Sequence, residues 1–197
     1  NTTGYENTAV GQSALVTNTT GYENTALGLI ALNKNTTGYQ NTAVGRGALY
    51  NNTTASYNTA VGYNSLVANT TGAENTAIGH NALSSSTAVR NTAIGWGAGD
   101  SVTTGNGSVF IGYDCGAYTN DNTTGADNVY IGAFARGSAA GVGNEIAIGR
   151  YVLGQGADTA TLGINGNGAT ISIDGSDTSW AAHSDQRLKE NITTSTA

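Results

Sequence analysis

The sequence has no proline, no methionine and a single cysteine in 197 residues. Charged residues make up 10 % of the chain, against about a quarter in an ordinary globular domain. This scarcity of charge is not typical of a globular enzyme. It also disfavours disorder, because disordered chains are normally highly charged and poor in β-branched residues, whereas threonine, valine and isoleucine are plentiful here.

Positive charge is also scarce, and this excludes two classes of partner. The net charge is −6 and the pI about 4.6, which disfavours electrostatic binding to nucleic acid or to anionic membranes. The sequence has no apolar run of about 18 residues, so we predict no membrane insertion. Cys115 has no partner for an intrachain disulfide, and we expect it to be a buried structural thiol.

The chain lacks the residue clusters that metal and catalytic sites need. His80 and His183 are far apart, and Asp114, Asp121 and Asp127 do not have the spacing of a calcium loop. No pair of carboxylates stands out that could face each other across a sugar. We therefore expect no metal, no cofactor and no enzymatic activity toward other molecules.

What the sequence does contain is a repeat. NTTGYENTAVGQSALVT spans residues 1–17, and related units follow through residue 85. The central asparagine marks the phase at Asn7, Asn24, Asn41, Asn58 and Asn75. An aliphatic residue followed by glycine then continues the pattern as far as Leu162-Gly163, which gives about ten marks in all.

The unit is too short for two helices and is rich in β-branched residues separated by Asn-Thr-Thr-Gly corners. Short strands joined by such corners in register predict an all-β fold, a parallel β-solenoid of about ten coils. Stacked coils place equivalent residues about 4.8 Å apart. The central asparagines should therefore form an amide ladder, and Tyr5, Tyr22 and Tyr39 an aromatic one.

Strand alternation predicts that each coil has apolar side chains on both faces. Ala9 and Val10 should point to opposite sides, and so should Ala14 and Leu15. A solitary solenoid needs only the inner set, so we expect further copies of the chain to cover the outer set. The alternative is that these are ordinary scattered apolar residues of a protein surface.

The repeat pattern divides the chain into four segments. Residues 1–99 are regular repeats, 100–163 are irregular coils with insertions, 164–183 are a β neck, and 184–197 are a charged tail. Insertions in solenoids map to loops, often on a binding face. The candidate receptor loop contains Tyr118, Asn120, Asp121, Asn122 and Asp127. A slack surface loop is the alternative interpretation.

Residues 1–165 resemble the β-roll heads of trimeric autotransporter adhesins and the shafts of phage tail fibres. The resemblance rests on the NTAVG-x-x-AL pattern, although the adhesin unit is somewhat shorter. It implies a homotrimer with an elongated shaft, and it is more specific for architecture than for function.

The charged stretch SDQRLKENI, residues 184–192, resembles the opening of the C-terminal intramolecular chaperone domain of phage endosialidases, tail fibres and tail spikes. The resemblance implies self-cleavage between Ser184 and Asp185, with Ser184 supplying the hydroxyl and Lys189 helping to activate it. That chaperone extends well beyond its opening motif, so we expect the chain ending at Ala197 to be inert in cleavage. A polar tail without this role is the alternative.

These features together predict a structural and receptor-binding segment of a phage tail fibre, located in the virion. The expected partners are two further copies of the chain, a host surface glycan or protein, and other tail proteins. A bacterial trimeric surface adhesin, located on the cell surface, is the first alternative. An ice-binding solenoid or a polysaccharide depolymerase fits less well. Ice binding is disfavoured because the Thr2-Thr3 pair and its repeats lie at corners.

Overall fold

A computed structural model describes residues 2–117, 124–174 and 181–183 of the chain. Within those residues the regular secondary structure consists of β-strands, with no helix. The strands stack on one another as a parallel β-solenoid of about nine turns. The predicted all-β solenoid is therefore confirmed.

Twelve strands form one continuous sheet in which sequence neighbours are also spatial neighbours. Most are three residues long, as expected for the short side of a small coil. They are β1 Thr8–Val10, β2 Thr25–Leu27, β3 Thr42–Val44, β4 Thr59–Val61, β5 Thr76–Ile78, β6 Thr92–Ile94, β7 Val109–Ile111, β8 Val129–Ile131, β9 Glu145–Ile148, β10 Thr159–Ile164, β11 Asn167–Ser172 and β12 Ala181–His183.

Strands β1 to β10 run parallel, and their register follows the sequence repeat. Ala26 of β2 pairs with Ala9 on one side and with Ala43 on the other. The register persists through the irregular coils, where Phe110 pairs with Ala93 and then with Tyr130. The sheet therefore stays in phase through the irregular coils.

Left-handed backbone conformations at fixed positions let a 17-residue unit close into a coil. In the second coil Glu23, Ile30 and Leu32 have φ of 54°, 54° and 47°, and Gly28 has φ of 136°. A Cβ on Gly28 would lie 2.6 Å from the carbonyl oxygen of Gly45 in the next coil. Glycine is required there because adjacent backbones approach too closely for any side chain.

The core is a narrow column of alanine and leucine. Ala26, Ala31 and Leu32 of the second coil are fully buried, whereas Leu27 is 46 % exposed. The prediction that the Ala-Leu pair is split between two faces is wrong, because these residues lie in a turn and not in a strand. The left-handed leucine lets two successive side chains point inward.

The last strands reverse direction. Strand β10 carries the tenth aliphatic-glycine mark but pairs antiparallel with β11, and β12 pairs antiparallel with β11. Asn165 and Gly166, with φ of 53° and 77°, make the tight hairpin turn whose two central residues need positive φ. Strand β11 lies within the segment predicted as a β neck, residues 164–183, but its reversal was not predicted.

Candidate interaction surface

Most residues of the two predicted sites lie outside the described residues. These are Ser184, Asp185 and Lys189 of the cleavage motif, and Tyr118, Asn120, Asp121 and Asn122 of the candidate receptor loop. Asp127 is described. It is exposed at a left-handed corner with φ of 59°, and its backbone N–H donates to the carbonyl of Asn106 at 2.9 Å.

The central asparagines lie inside the solenoid in one continuous column. Asn41 Nδ2 donates to Asn24 Oδ1 at 3.1 Å and to the carbonyl of Ala55 at 2.8 Å, and the Asn58 backbone N–H donates to Asn41 Oδ1 at 3.0 Å. Each amide thus bridges consecutive coils and satisfies corner backbone groups that water cannot reach. The column contains Asn7, Asn24, Asn41, Asn58, Asn75 and Asn91.

A second column of buried amides, which the sequence analysis did not predict, is formed by the first asparagine of each Asn-Thr-Thr corner. Asn35 Nδ2 donates to Asn18 Oδ1 at 2.9 Å, and Asn52 Nδ2 donates to Asn35 Oδ1 at 2.8 Å. Asn69 continues the column, and all four of these side chains are buried. The signal was available, since the first asparagine of each Asn-Thr-Thr corner also recurs every 17 residues.

A buried carboxylate replaces the central asparagine in the ninth coil. Glu145 is fully buried and accepts a hydrogen bond from the Tyr130 hydroxyl at 3.0 Å. The backbone N–H groups of Gly156 and Ser138 donate to it at 2.8 Å and 3.1 Å. Because solvent does not reach this carboxylate and its donors converge from three chain segments, it acts as a structural crosslink within the irregular coils.

The outer face of the sheet carries a column of aliphatic side chains along the parallel strands. Val10, Leu27, Ile78, Ile94 and Leu162 are 39–56 % exposed, whereas the inner alanines of β2, β5 and β6 are fully buried. The column comprises Val10, Leu27, Val44, Val61, Ile78, Ile94, Ile111, Ile131, Ile148 and Leu162. It is the outward apolar set predicted from strand alternation.

A threonine column runs beside the aliphatic one on the same outer face. Each threonine precedes the buried alanine of its strand, so its side chain points away from the core. The column comprises Thr8, Thr25, Thr42, Thr59, Thr76 and Thr92 and gives way to Val109 and Val129 in the irregular coils. Contrary to the expectation from the corner threonines, the chain does have threonines in register on a flat face.

One side of this outer face is bounded by an exposed, partly basic stack of rings, which we call the aromatic margin: Arg46, Tyr63, His80, Trp96 and Tyr113. Ring centroids are 5.0 Å apart from Tyr63 to His80, 5.5 Å to Trp96 and 4.9 Å to Tyr113, with near-parallel planes. Arg46 lies over Tyr63 and donates to its hydroxyl at 2.7 Å. The ring faces stack on one another, so the ring edges point toward solvent.

The other side is bounded by a polar margin of exposed residues at the left-handed corner before each strand: Glu23, Gln40, Tyr57, Glu74 and Arg90. Gln40 Nε2 donates to the Glu23 carboxylate at 2.6 Å. Beside this margin Tyr5, Tyr22 and Tyr39 stack with centroids 4.9 Å and 4.8 Å apart. Partial burial in the stack raises the pKa of Tyr22, and a hydrogen bond with Tyr39 raises the pKa of Tyr57.

The described residues contain neither a metal-binding cluster nor a membrane-spanning helix. They contain no group of three or more histidine, cysteine, aspartate or glutamate side chains that could hold a metal ion. In the same part of the chain, no helix has the length and apolarity to cross a membrane. The outer face and its margins offer apolar side chains, threonine hydroxyls, aromatic edges and a few charges.

Comparison of the chain with known proteins found no matching family model, no matching curated protein and no matching solved structure.

Proposed function

We propose that the chain is a structural and receptor-binding segment of a phage tail fibre that assembles as a homotrimer and attaches to the host cell surface. The observation that carries the proposal is the uncovered aliphatic column along the outer face of the sheet. A rod of this shape supplies length and stiffness. The apolar face supplies a reason for several rods to associate side by side.

The charged motif at residues 184–192 supports the same proposal from the sequence. Its resemblance to the start of an intramolecular chaperone fits a fibre whose chains must be brought together before their apolar faces are exposed to solvent. By this resemblance, a gene product that carries the whole chaperone hydrolyses the Ser184–Asp185 peptide bond with one water, which yields the Ser184 carboxylate and the Asp185 amine. Ser184 supplies the hydroxyl for this step and Lys189 takes up its proton. The mature shaft then no longer needs the charged domain.

The experiment that tests the proposal has two readouts on the same sample. Light scattering during size exclusion should give a mass near three times 19.8 kDa. The trimer should then bind intact cells of at least one strain in a bacterial panel, and glycan arrays should identify the bound surface group. A trimer that binds no cell or glycan would contradict attachment, and a monomer would contradict the assembled shaft.

Ice binding is a second candidate because of one observation, the threonine column in register beside the aliphatic column. Hydroxyl and methyl groups repeating at the strand spacing form a regular, uncharged lattice on a flat sheet. The measurement is thermal hysteresis of the purified chain. A hysteresis gap that is lost on Thr59→Lys, in a chain that remains monomeric, would favour ice binding over the tail-fibre proposal.

A further inference from the structure

We infer that the outer sheet face is a contact between parallel, in-register copies of this chain, in which the aromatic margin of one copy packs against the polar margin of the next. The inference rests on the proposed assembly into a homotrimer. It goes beyond that assembly by naming the surface, the orientation and the residue pairs that meet.

The size of the face matches a specific protein interface. Ten parallel strands at about 4.8 Å spacing make it roughly 45 Å long, and three strand residues with a flanking residue on each side make it about 17 Å wide. That footprint is on the order of 800 Å² for each copy, which is the area that one partner of a standard interface buries. Its centre is the aliphatic column and its borders are polar, as interfaces generally are.

The two margins are chemically complementary within single coils. In the fifth coil Glu74 lies on the polar margin and His80 on the aromatic margin, on either side of β5. In the sixth coil Arg90 lies on the polar margin and Trp96, 44 % exposed, on the other. Placing the opposite margins of two copies at the same height pairs the Glu74 carboxylate with the edge of the His80 imidazole, which carries the ring nitrogens. It also packs the apolar stem of Arg90 against the edge of the Trp96 indole.

The difference between the margins fixes the orientation. Rotation about an axis parallel to the solenoid brings the aromatic margin of one copy to the polar margin of another at the same height. A two-fold axis along the strands instead brings each margin against itself, so that Glu74 cannot meet His80 and Arg90 cannot meet Trp96. The complementary pairs of single coils therefore form only in the parallel arrangement.

The ring geometry favours a protein occupant over a glycan. A sugar stacks on the face of an aromatic ring, but the faces of His80 and Trp96 are already covered by their neighbours in the stack. The ring edges remain exposed, and they can contact the mixed polar and charged side chains of the polar margin of a second copy.

Engineered disulfides test the register directly. In a Cys115→Ala background, Glu74→Cys with His80→Cys places the two thiols of one copy on opposite sides of β5, too far apart to bridge within the chain. Parallel, in-register packing brings each thiol next to the other type in the neighbouring copy. Mild oxidation should then give covalent oligomers that a reducing gel dissolves.

The matched control is Glu23→Cys with His80→Cys in the same background, which offsets the thiols by three coils, or about 14 Å. We expect at least tenfold less crosslinking from it. Equal yields, or dimers from Glu74→Cys alone, would overturn the parallel register. If the mass still corresponds to a trimer that binds host cells, the tail-fibre proposal survives that failure. A chain that is monomeric at every concentration overturns the inference itself.

Trp96 provides an independent readout that needs no crosslink. Trp180→Phe leaves it as the single tryptophan. Assembly should shift its emission to shorter wavelength, and dilution below the dissociation constant should reverse the shift. Arg90→Ala should weaken association several-fold, while Arg46→Ala, which removes a cation from the other margin, should have a smaller effect. An emission maximum that does not change with oligomeric state would contradict burial of the aromatic margin.

Discussion

The coils before and after Gly99 follow the same backbone path but fill it differently. In the regular coils a small alanine on the strand faces a leucine at the corner, as Ala43 faces Leu49. In the irregular coils the strand residue is Phe110 or Tyr130, and glycines 99 and 116 occupy the corner positions that leucine has elsewhere. The cross-section is therefore conserved by volume and not by residue type.

The geometry shows why the exchange has to be concerted. A Cβ on Gly99 would lie 2.9 Å from Cδ2 of Phe110, and one on Gly116 would approach Cδ1 of the same ring still more closely. The phenylalanine ring thus fills the space of two corner side chains. Protein interiors are close-packed, so a large residue on one wall requires small ones opposite.

Replacing Phe110 with alanine should break the irregular region most severely. Gly99 and Gly116 leave nothing to fill the space, so we expect a loss of about 3–5 kcal/mol in the free energy of unfolding. Urea denaturation followed by circular dichroism measures it.

The sharper form of this test is the triple change Phe110→Ala, Gly99→Leu and Gly116→Leu. Both glycines have left-handed φ, 61° and 71°, close to the 51° of Leu49, so leucine fits their backbone. The triple variant should recover most of the lost stability by restoring a regular coil. Gly116→Leu alone should destabilise through overpacking. If the triple variant is no more stable than Phe110→Ala, volume exchange does not explain the difference between the regions.

In the regular region the comparable weak point is the buried column of central asparagines. Asn41→Ala leaves the buried Asn58 N–H without its acceptor and removes one of the two donors to the Ala55 carbonyl, which Asn52 Nδ2 still reaches at 3.0 Å. A buried N–H left unpaired costs about 1–3 kcal/mol, so we expect a loss of that size. Thr37→Ala, at an exposed corner of the same coil, is the control and should change stability by less than about 0.5 kcal/mol. Equal effects of the two changes would mean that the amide column contributes little.

The regular region could be predicted in detail because its repeats are nearly identical, so one unit specifies the rest. The period predicted the stacked sheet, the division of Ala9 and Val10 between its two faces, and the ladder of central asparagines. It did not predict that Ala31 and Leu32 both face inward, because strand alternation does not apply to a left-handed turn. The exchange between Phe110 and the two glycines was also missed, since it joins residues of different coils and appears only when the coils are stacked.

The column of central asparagines offers a third comparison, because Glu145 places a carboxylate where the earlier coils have an amide. Glu145→Gln keeps the size of the side chain but replaces one carboxylate oxygen with an NH₂ group. That group then faces either the Gly156 N–H or the Tyr130 hydroxyl, since these two donate to different oxygens. We expect a loss of about 1–3 kcal/mol. Tyr130→Phe removes one donor only and should cost about 1 kcal/mol. If both changes are neutral, the buried carboxylate does not crosslink the irregular coils.

The smallest effect at neutral pH is expected at Cys115, which occupies the corner position that a buried alanine holds in the regular coils. Its thiol is buried and donates to the Tyr130 carbonyl at 3.2 Å. Cys115→Ala should therefore cost less than about 1.5 kcal/mol at pH 7. The folded chain at pH 8 should also resist thiol reagents that label it after unfolding, because only the thiolate reacts and burial opposes its formation.

The natural chain and the Cys115→Ala variant should differ more in stability as the pH rises. Burial raises the pKa of Cys115 from 9.0 to about 12. Between those values the unfolded chain ionises at this thiol and the folded chain does not, so stability is retained below pH 9 and is lost as the pH rises toward 12. Urea midpoints from pH 8 to 11 should fall more steeply for the natural chain than for Cys115→Ala, in which tyrosine ionisation still contributes. Parallel slopes would contradict the burial of this thiol.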